Sequence, residues 1–198
     1  MPSDPLCLGF DTSAAHCAAA LVLGDRILAS ASEDMQRGQA ERLIGVLEGV
    51  LGQANKTWKD LDRIGVGVGP GNFTGIRISV ATARGLALGL GLPAIGVNSF
   101  EALALSARGV PAVPGPRGQA YLAPKGQAPY LASEAELLDM MQDVPLVTPK
   151  RDTIAIDIAR VAAARQNVEA EPAPAPLYVK PADAAPARDA PPLILDDT

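Results

Sequence analysis

The strongest constraint on the fold of this chain is a glycine-rich segment at residues 65–77, which reads Gly-Val-Gly-Val-Gly-Pro-Gly-Asn-Phe-Thr-Gly-Ile-Arg. The β-branched residues Ile64, Val66 and Val68 favour a buried strand, and residues 76–90 have the pattern of a helix. The segment therefore predicts a strand, a tight turn and a helix N-terminus. Such a turn either binds a phosphate or lets the strand and the helix meet closely, and the residues leave both interpretations open.

The spacing of these glycines differs from that of two common phosphate-binding motifs. Gly75 is followed by Ile76 and Arg77 rather than by Lys and Ser or Thr, so the segment is not a Walker A loop. The spacing of Gly69, Gly71 and Gly75 is one residue too long for a dinucleotide fingerprint. No Asp or Glu follows in residues 72–100 to bind a ribose hydroxyl.

Hydrophobic periodicity over the first half of the chain predicts the order βββ-α-β-α-β-α. The strands are expected at residues 6–10, 17–23, 26–32, 64–68 and 93–97, and the helices at residues 39–55, 76–90 and 100–107. A meander of three strands followed by alternating helices and strands builds a mixed sheet covered by helices. This α/β order is typical of the ribonuclease H-like lobe of actin-like ATPases.

A segment rich in proline and glycine at residues 108–116 predicts a lobe boundary. We expect an N-terminal lobe at residues 1–108, a reduced C-terminal lobe at 109–180 and an extended Pro/Ala-rich tail at 181–198. Within the second lobe the pattern predicts short strands, a helix opened by a capping box and a later helix near Asp152. These elements are expected at residues 119–123, 129–132, 133–141, 144–148 and 152–162.

Composition excludes several classes of site. The net charge is −5 and no basic stripe is present, which argues against direct binding of nucleic acid. His16 is the only histidine, so no site made of two histidines can form, and a Ser-His-Asp triad would have to use it. Cys7 and Cys17 predict reduced, buried cysteines. Because the sequence begins without a signal peptide and lacks a spanning apolar run, we expect a cytoplasmic protein with no membrane contact.

Small residues recur on the two helices that flank the glycine turn. Gly75, Ser79, Ala83 and Ala87 fall at every fourth position, and this spacing lets either the chain's own sheet or another helix approach closely. Three glycines in the preceding helix also allow close packing of another helix: Gly45, Gly49 and Gly52. Each destabilises its own helix by up to about 1 kcal/mol relative to Ala.

Arg77 lies in the first turn of its predicted helix, where a positive charge is unfavourable. We therefore expect an anionic partner for it, either a carboxylate or a ligand. Arg84 follows two turns later on the same flank.

Residues 69–78 closely resemble the TsaB (YeaZ) family, whose pattern there is Gly-Pro-Gly-Ser-Phe-Thr-Gly-Leu-Arg, with Asn72 and Ile76 as departures. The resemblance covers residues 6–107 and returns at 176–180. It is poor in between, where Gly115 stands at a position that is Asp in the family and the second lobe is shorter. The resemblance implies an actin-like ATPase fold with a reduced second lobe.

The resemblance also implies a role in forming N6-threonylcarbamoyladenosine next to the anticodon of tRNAs that read ANN codons. The implied partners are the catalytic subunit TsaD and the ATPase TsaE, with tRNA contacted indirectly. We expect this chain to require no cofactor, and weak nucleotide binding at the partner interface stays open. The residues implied for a nucleotide or phosphate are Asp11, Gly69, Gly71, Thr74 and Arg77.

TsaD-like proteins carry Gly-Val-Asn-His-x-x-x-His, in which both histidines bind the catalytic metal. The matching residues here are 96–103, and Ser99 and Leu103 stand at the histidine positions. Leucine cannot ligate a metal and serine is a poor ligand. The resemblance therefore implies a chain without a metal site that is catalytically silent.

We accordingly expect a non-catalytic dimerisation subunit that binds TsaD, or a second copy of this chain in isolation, through the helices at residues 39–55 and 75–90. The residues expected at this interface are Leu43, Leu47, Val50, Ser79, Ala83, Arg84 and Ala87. The alternatives are a glycoprotease-type peptidase and a small-molecule kinase of the same fold.

Overall fold

The larger of two sheets comes from the first half of the chain. The computed structural model describes residues 4–106 and 108–179. β1 (Leu6–Asp11), β2 (His16–Leu23) and β3 (Arg26–Asp34) pair antiparallel through short turns, which confirms the predicted meander. β4 (Arg63–Gly67) pairs parallel with β1, and β5 (Ala94–Val97) pairs parallel with β4. The order β3-β2-β1-β4-β5 is a mixed sheet.

Helices cover both faces of this sheet, as predicted. α1 (Gln39–Gln53) and α2 (Phe73–Leu90) pack their apolar stripes on one face, where they share a core with β1, β2 and β4. α3 (Ser99–Ser106) follows β5 and contributes Ala102 to the core on the opposite face. Because both faces are covered, every residue of β1 is buried and the strand is apolar until it ends at Asp11.

A smaller sheet forms between residues 110 and 147. Its strands are β6 (Val110–Pro114), β7 (Ala120–Leu122), β8 (Tyr130–Ala132) and β9 (Leu146–Val147), in the order β8-β7-β6-β9. α4 (Glu134–Asp143) covers one face through Leu137 and Met140. The predicted capping box is confirmed, since Ser133 and Glu136 bond to each other's backbone N–H groups.

α5 (Arg151–Ala164) returns to the larger sheet and packs across β1, β2 and β4. Its approach depends on two strand glycines. A Cβ on Gly9 would lie 2.6 Å from the Cβ of Ala159, and one on Gly65 would lie 2.8 Å from the Cβ of Ala162. Residues 151–164 therefore pack with the first sheet, which differs from the predicted division of the chain at residue 108.

The described chain ends in a segment that crosses back over the larger sheet. The Leu177 backbone N–H donates to the Val68 carbonyl at 2.8 Å, and Pro174 lies against Gly96. Lys180 of the predicted 176–180 element and the predicted tail at 181–198 lie outside the described residues. Within the part of the chain that the structure describes, no helix has the length and apolar character needed to cross a membrane.

Cys7 and Cys17 are buried and unpaired with each other, as predicted. Loss of hydration on burial raises the pKa of the Cys7 thiol to about 12 and that of Cys17 to about 11. Both thiols therefore stay protonated at neutral pH and are poor nucleophiles.

Candidate functional site

The polar residues singled out in the sequence meet at one edge of the larger sheet. β1 ends at Asp11 and β4 ends at Gly67, and the two strands are parallel neighbours. Their carboxyl ends therefore open at the same edge, which is where α/β folds commonly place a ligand. The loop at residues 12–15 and the glycine turn at residues 68–72 lie side by side there.

Asp11 organises the first of these loops. Its side chain is 1% exposed, and its Oδ2 accepts hydrogen bonds from the Ser13 backbone N–H at 3.0 Å and the Ser13 hydroxyl at 2.9 Å. The third contact is with His16 Nε2 at 2.7 Å, and that ring is itself 6% exposed. Asp11 Oδ1 is buried without a hydrogen-bond partner among the described residues. Asp11 therefore fixes the conformation of residues 11–16 from within the core.

The loop that Asp11 holds packs against the glycine turn. The Asn72 backbone N–H donates to the Ser13 carbonyl at 2.6 Å, and the Thr12 hydroxyl donates to the Gly75 carbonyl at 2.7 Å. A Cβ on Gly71 would overlap the Ser13 carbonyl oxygen, and one on Gly75 would overlap that of Thr12. The backbone of residues 12 and 13 therefore lies in close contact with both glycines, which requires that neither carries a side chain.

The start of α2 depends on a residue that sequence reasoning missed. The helix begins at Phe73, three residues before the predicted position, because the Asn72 side chain accepts a hydrogen bond from the Gly75 backbone N–H at 2.9 Å. Asparagine is among the most favourable N-cap residues, so Asn72 itself was the signal. Thr74 is exposed on the first turn of this helix.

Arg77 contacts two aromatic residues and not a carboxylate, which was one of the two anionic partners expected from the sequence. Its guanidinium lies 3.8 Å from the centre of the Phe73 ring, and its Nε donates to the Tyr178 hydroxyl at 3.2 Å. The two rings lie 5.4 Å apart. Within residues 4–106 and 108–179, no carboxylate forms an ion pair with Arg77. The aromatic contact has a physical basis, since a delocalised guanidinium is stabilised by the face of an aromatic ring.

The two positions matched to metal-binding histidines lie on α3. Ser99 is 4% exposed, and its backbone N–H donates to the Gly69 carbonyl at 2.9 Å. Leu103 packs against Phe100 and Val113 in the apolar core. A metal held by this helix does not fit these residues, because Leu103 offers no donor atom. Among the described residues, no group of three or more His, Cys, Asp or Glu side chains could hold a metal ion.

Five of the seven residues expected at a partner interface lie in the chain's own core. Leu43, Leu47, Val50, Ser79 and Ala83 are fully buried against the larger sheet. The Ser79 hydroxyl donates to the Gly67 carbonyl at 3.0 Å. The small stripe on α2 therefore serves packing on the chain's own sheet, which corrects the assignment of these five side chains to the surface. Arg84 is exposed and Ala87 is half-buried.

The opposite side of the same two helices has no partner within residues 4–106 and 108–179, and we call it the α1–α2 outer face. On α2 it exposes Leu88, with 88% of its surface accessible, beside Gly85 and Gly89. On α1 it exposes Ile44 and three glycines. Apart from the adjoining residues and backbone of the same helix, no atom of the described chain lies within 4 Å of where a Cβ would stand on four of these glycines: Gly49, Gly52, Gly85 and Gly89.

The fold is that of the actin-like ATPases, with a mixed sheet covered by helices and a reduced second lobe. Residues 27–166, more than half of the chain, match the family model described as "TsaD: tRNA N6-adenosine threonylcarbamoyltransferase". The chain belongs to this threonylcarbamoyltransferase family, in its TsaB (YeaZ) group, which confirms the resemblance seen in the sequence.

Many solved structures are similar to this chain, including the following two. One is described as an uncharacterized protein with similarity to peptidase YeaZ from Pseudomonas aeruginosa. At 22% identity and a TM-score of 0.69, over 89% of this chain and 100% of that chain, it shows the fold. The other is YeaZ from Pseudomonas aeruginosa, with 30% identity and a TM-score of 0.54 over 65% of each chain. No curated protein matches the sequence.

Proposed function

We propose that this chain is a non-catalytic dimerisation subunit of the complex that forms N6-threonylcarbamoyladenosine in tRNA. In this role it binds and supports the transferase TsaD, together with TsaE. Family membership supports a role in the tRNA modification system. The observation that carries the proposal is the α1–α2 outer face, which is shaped for close contact with another helix and has no partner within the described chain.

The exposed glycines have a cost that the chain's own fold does not explain. Glycine inside a helix destabilises it by up to about 1 kcal/mol relative to Ala. Gly49, Gly52, Gly85 and Gly89 make no compensating contact with the described residues. Helices that lack side chains on one face let a partner backbone approach closely, and Leu88 adds apolar surface at the same place. A partner helix thus accounts for both features.

A silent role also agrees with the chemistry of the buried residues. Leu103 cannot bind the metal that the catalytic family members need, and His16 is enclosed by the Asp11 loop. The net charge of −5 supports contact with tRNA through the partner rather than directly. This role needs no cofactor. For weak binding of a nucleotide at the partner interface, Thr74 and Arg77 are the residues of the predicted set that are exposed and available.

The variant Gly85→Arg is expected to abolish co-purification with TsaD and leave a folded chain. The new side chain enters open space on the α1–α2 outer face and replaces a poor helix former, so stability is retained. Binding is measured by pull-down with tagged TsaD, and folding by circular dichroism. Ala135→Arg on the exposed side of α4 is the matched control and should bind like the wild type. Undiminished capture of Gly85→Arg would contradict the interface.

In isolation we propose that two copies of the chain pair through the same face. Glu41 and Glu48 on α1 and Arg77 and Arg84 on α2 are exposed, and each pair is separated by seven residues, or two helical turns. Within the described residues none of the four forms an ion pair. A two-fold axis would set the α1 acids of one copy against the α2 arginines of the other at matching spacing.

Charge reversal tests this homodimer. Two double variants are compared: Glu41→Arg, Glu48→Arg and Arg77→Glu, Arg84→Glu. Each should be monomeric by analytical ultracentrifugation, because like charges then face each other across the interface. An equimolar mixture of the two should recover the dimer, since both contacts become attractive again. A mixture that stays monomeric would refute this pairing and leave the TsaD interface to its own pull-down test.

A further inference from the structure

The end of the larger sheet opposite Asp11 contains a polar cavity of about 600 Å³. It lies between the N-terminal ends of β1 and β4, the turn between β2 and β3, and the C-terminal end of α5. Four arginines and two aspartates line it: Arg26, Arg63, Arg160, Arg165, Asp4 and Asp25.

Three of these arginines are held in place by hydrogen bonds. Arg63 Nη1 donates to the carbonyls of Ala162, Ala163 and Arg165 at 3.0–3.1 Å, which caps the C-terminus of α5. Arg160 donates from Nε and Nη2 to the Asp25 carbonyl at 3.2 and 3.0 Å. Arg165 pairs with Glu101 at 3.0 Å and approaches Glu171 at 3.9 Å. The guanidinium groups are therefore positioned before any ligand arrives.

Arginines and aspartates of the cavity both keep hydrogen-bonding groups that no described residue uses. The Nε atom of Arg63 is buried without a hydrogen-bond partner among the described residues, and Arg26 makes no ion pair with them. Asp4 and Asp25 share the cavity with the arginines, yet neither carboxylate lies within 4 Å of a guanidinium nitrogen in the described chain. Arg26, Asp4 and Asp25 are exposed and therefore keep hydrogen-bonding groups that are available to a ligand in the cavity.

The charge balance selects the ligand class. Glu101 and Glu171 offset Arg165, and the carbonyl end of α5 is satisfied by Arg63. Among the remaining charged side chains that line the cavity, Arg26, Arg63 and Arg160 outnumber Asp4 and Asp25 by one, in a chain whose net charge is −5. Guanidinium groups suit phosphate oxygens, and carboxylates accept hydrogen bonds from sugar hydroxyls.

We propose that this cavity binds a small phosphorylated sugar or nucleotide. The arginines bind the phosphate, and Asp4 and Asp25 accept hydrogen bonds from the ribose hydroxyls. The volume suits a small molecule, and the concave shape differs from the basic stripe expected for a nucleic acid strand. The site is separate from the α1–α2 outer face and does not rest on the dimerisation role.

The test is isothermal titration calorimetry of the full chain with ribose 5-phosphate, AMP, inorganic phosphate and ribose. Saturable binding of the first two is expected, with weaker binding of phosphate and none of ribose. Arg26→Ala should lower the affinity for ribose 5-phosphate about tenfold, since one charged hydrogen-bond donor is lost. Arg37→Ala, the same change at an exposed arginine outside the cavity, should have no effect.

The aspartates provide a second, independent readout. In the double variant Asp4→Asn, Asp25→Asn, the ratio of the affinity for ribose 5-phosphate to that for inorganic phosphate should fall. The amide groups accept hydrogen bonds from the hydroxyls more weakly than carboxylates do, and they no longer repel phosphate. Tighter binding of AMP than of ribose 5-phosphate would assign a nucleotide, and equal binding a phosphorylated pentose. The proposal is overturned by absence of saturable binding at about 10 mM ligand, by an unchanged affinity in Arg26→Ala, or by an equal loss in Arg37→Ala.

Discussion

Replacement of Asp11 by Ala is expected to lower the free energy of unfolding by about 3–5 kcal/mol. The Asp11 carboxylate is 1% exposed, and its Oδ2 is the acceptor for two groups of Ser13 and for His16. Without it, three polar groups lose their partner in a site that water cannot reach, and each unsatisfied group costs about 1–3 kcal/mol. The loss is measured as a lower midpoint of urea unfolding at unchanged slope.

Two further variants show whether the hydrogen bonds are the cause. Asp11→Asn retains one carbonyl acceptor and the shape of the side chain, so its stability should fall between those of the wild type and Asp11→Ala. Asp139→Ala on the exposed side of α4 removes the same carboxylate from the surface and should change stability by less than about 0.5 kcal/mol. If Asp11→Ala unfolded at the wild-type midpoint, Asp11 would not organise the loop at residues 11–16.

Local patterns in the sequence predicted much of the fold. The meander, the alternation of helices and strands, and the capping box at Ser133 depend on contacts between residues close in the chain, so periodicity and turn residues revealed them. β6 was missed, because Pro111 and Pro114 made its segment look like a break between lobes. Proline weakens the strand signal without preventing a short strand.

Contacts between distant residues were beyond the reach of these patterns. The packing of α5 on β1 and β4 joins Ala159 to Gly9 and Ala162 to Gly65, across about 100 to 150 residues of chain. Nothing in the local sequence of residues 151–164 tells which sheet its apolar face covers. The predicted lobe boundary therefore followed composition, whereas the structure follows the larger apolar surface.

The same limit explains why the interface residues were misassigned from the sequence. The sequence showed that Leu43, Leu47 and Val50 share one helix face, but an apolar stripe looks alike whether it covers the chain's own sheet or a partner. The more informative signal was the set of glycines on the opposite side, because glycine in an exposed helix position has no packing role within the chain. Asp11 was named only among the residues implied for a nucleotide or phosphate, because its bond to His16 depends on the register of β1 and β2.

Two glycines of α2 should respond in opposite directions to one substitution. Gly75→Ala is expected to destabilise the chain by about 3 kcal/mol or more, because the added methyl group overlaps the Thr12 carbonyl oxygen in the buried contact between α2 and the Asp11 loop. Relief of this overlap requires the loop to move, which also breaks the hydrogen bond from the Thr12 hydroxyl to the Gly75 carbonyl.

Gly85→Ala makes the same chemical change ten residues later in the same helix. There, no described atom beyond the adjoining residues and backbone of that helix lies within 4 Å of the new Cβ. It should stabilise the isolated chain by up to about 1 kcal/mol, because Ala is the better helix former. Thermal and urea unfolding of both variants measure the contrast. Equal effects would mean that the glycine turn does not meet the Asp11 loop as described. Changes of opposite sign in the free energy of unfolding would show that the fold requires Gly75 but not Gly85. The role of Gly85 would then lie at the α1–α2 outer face.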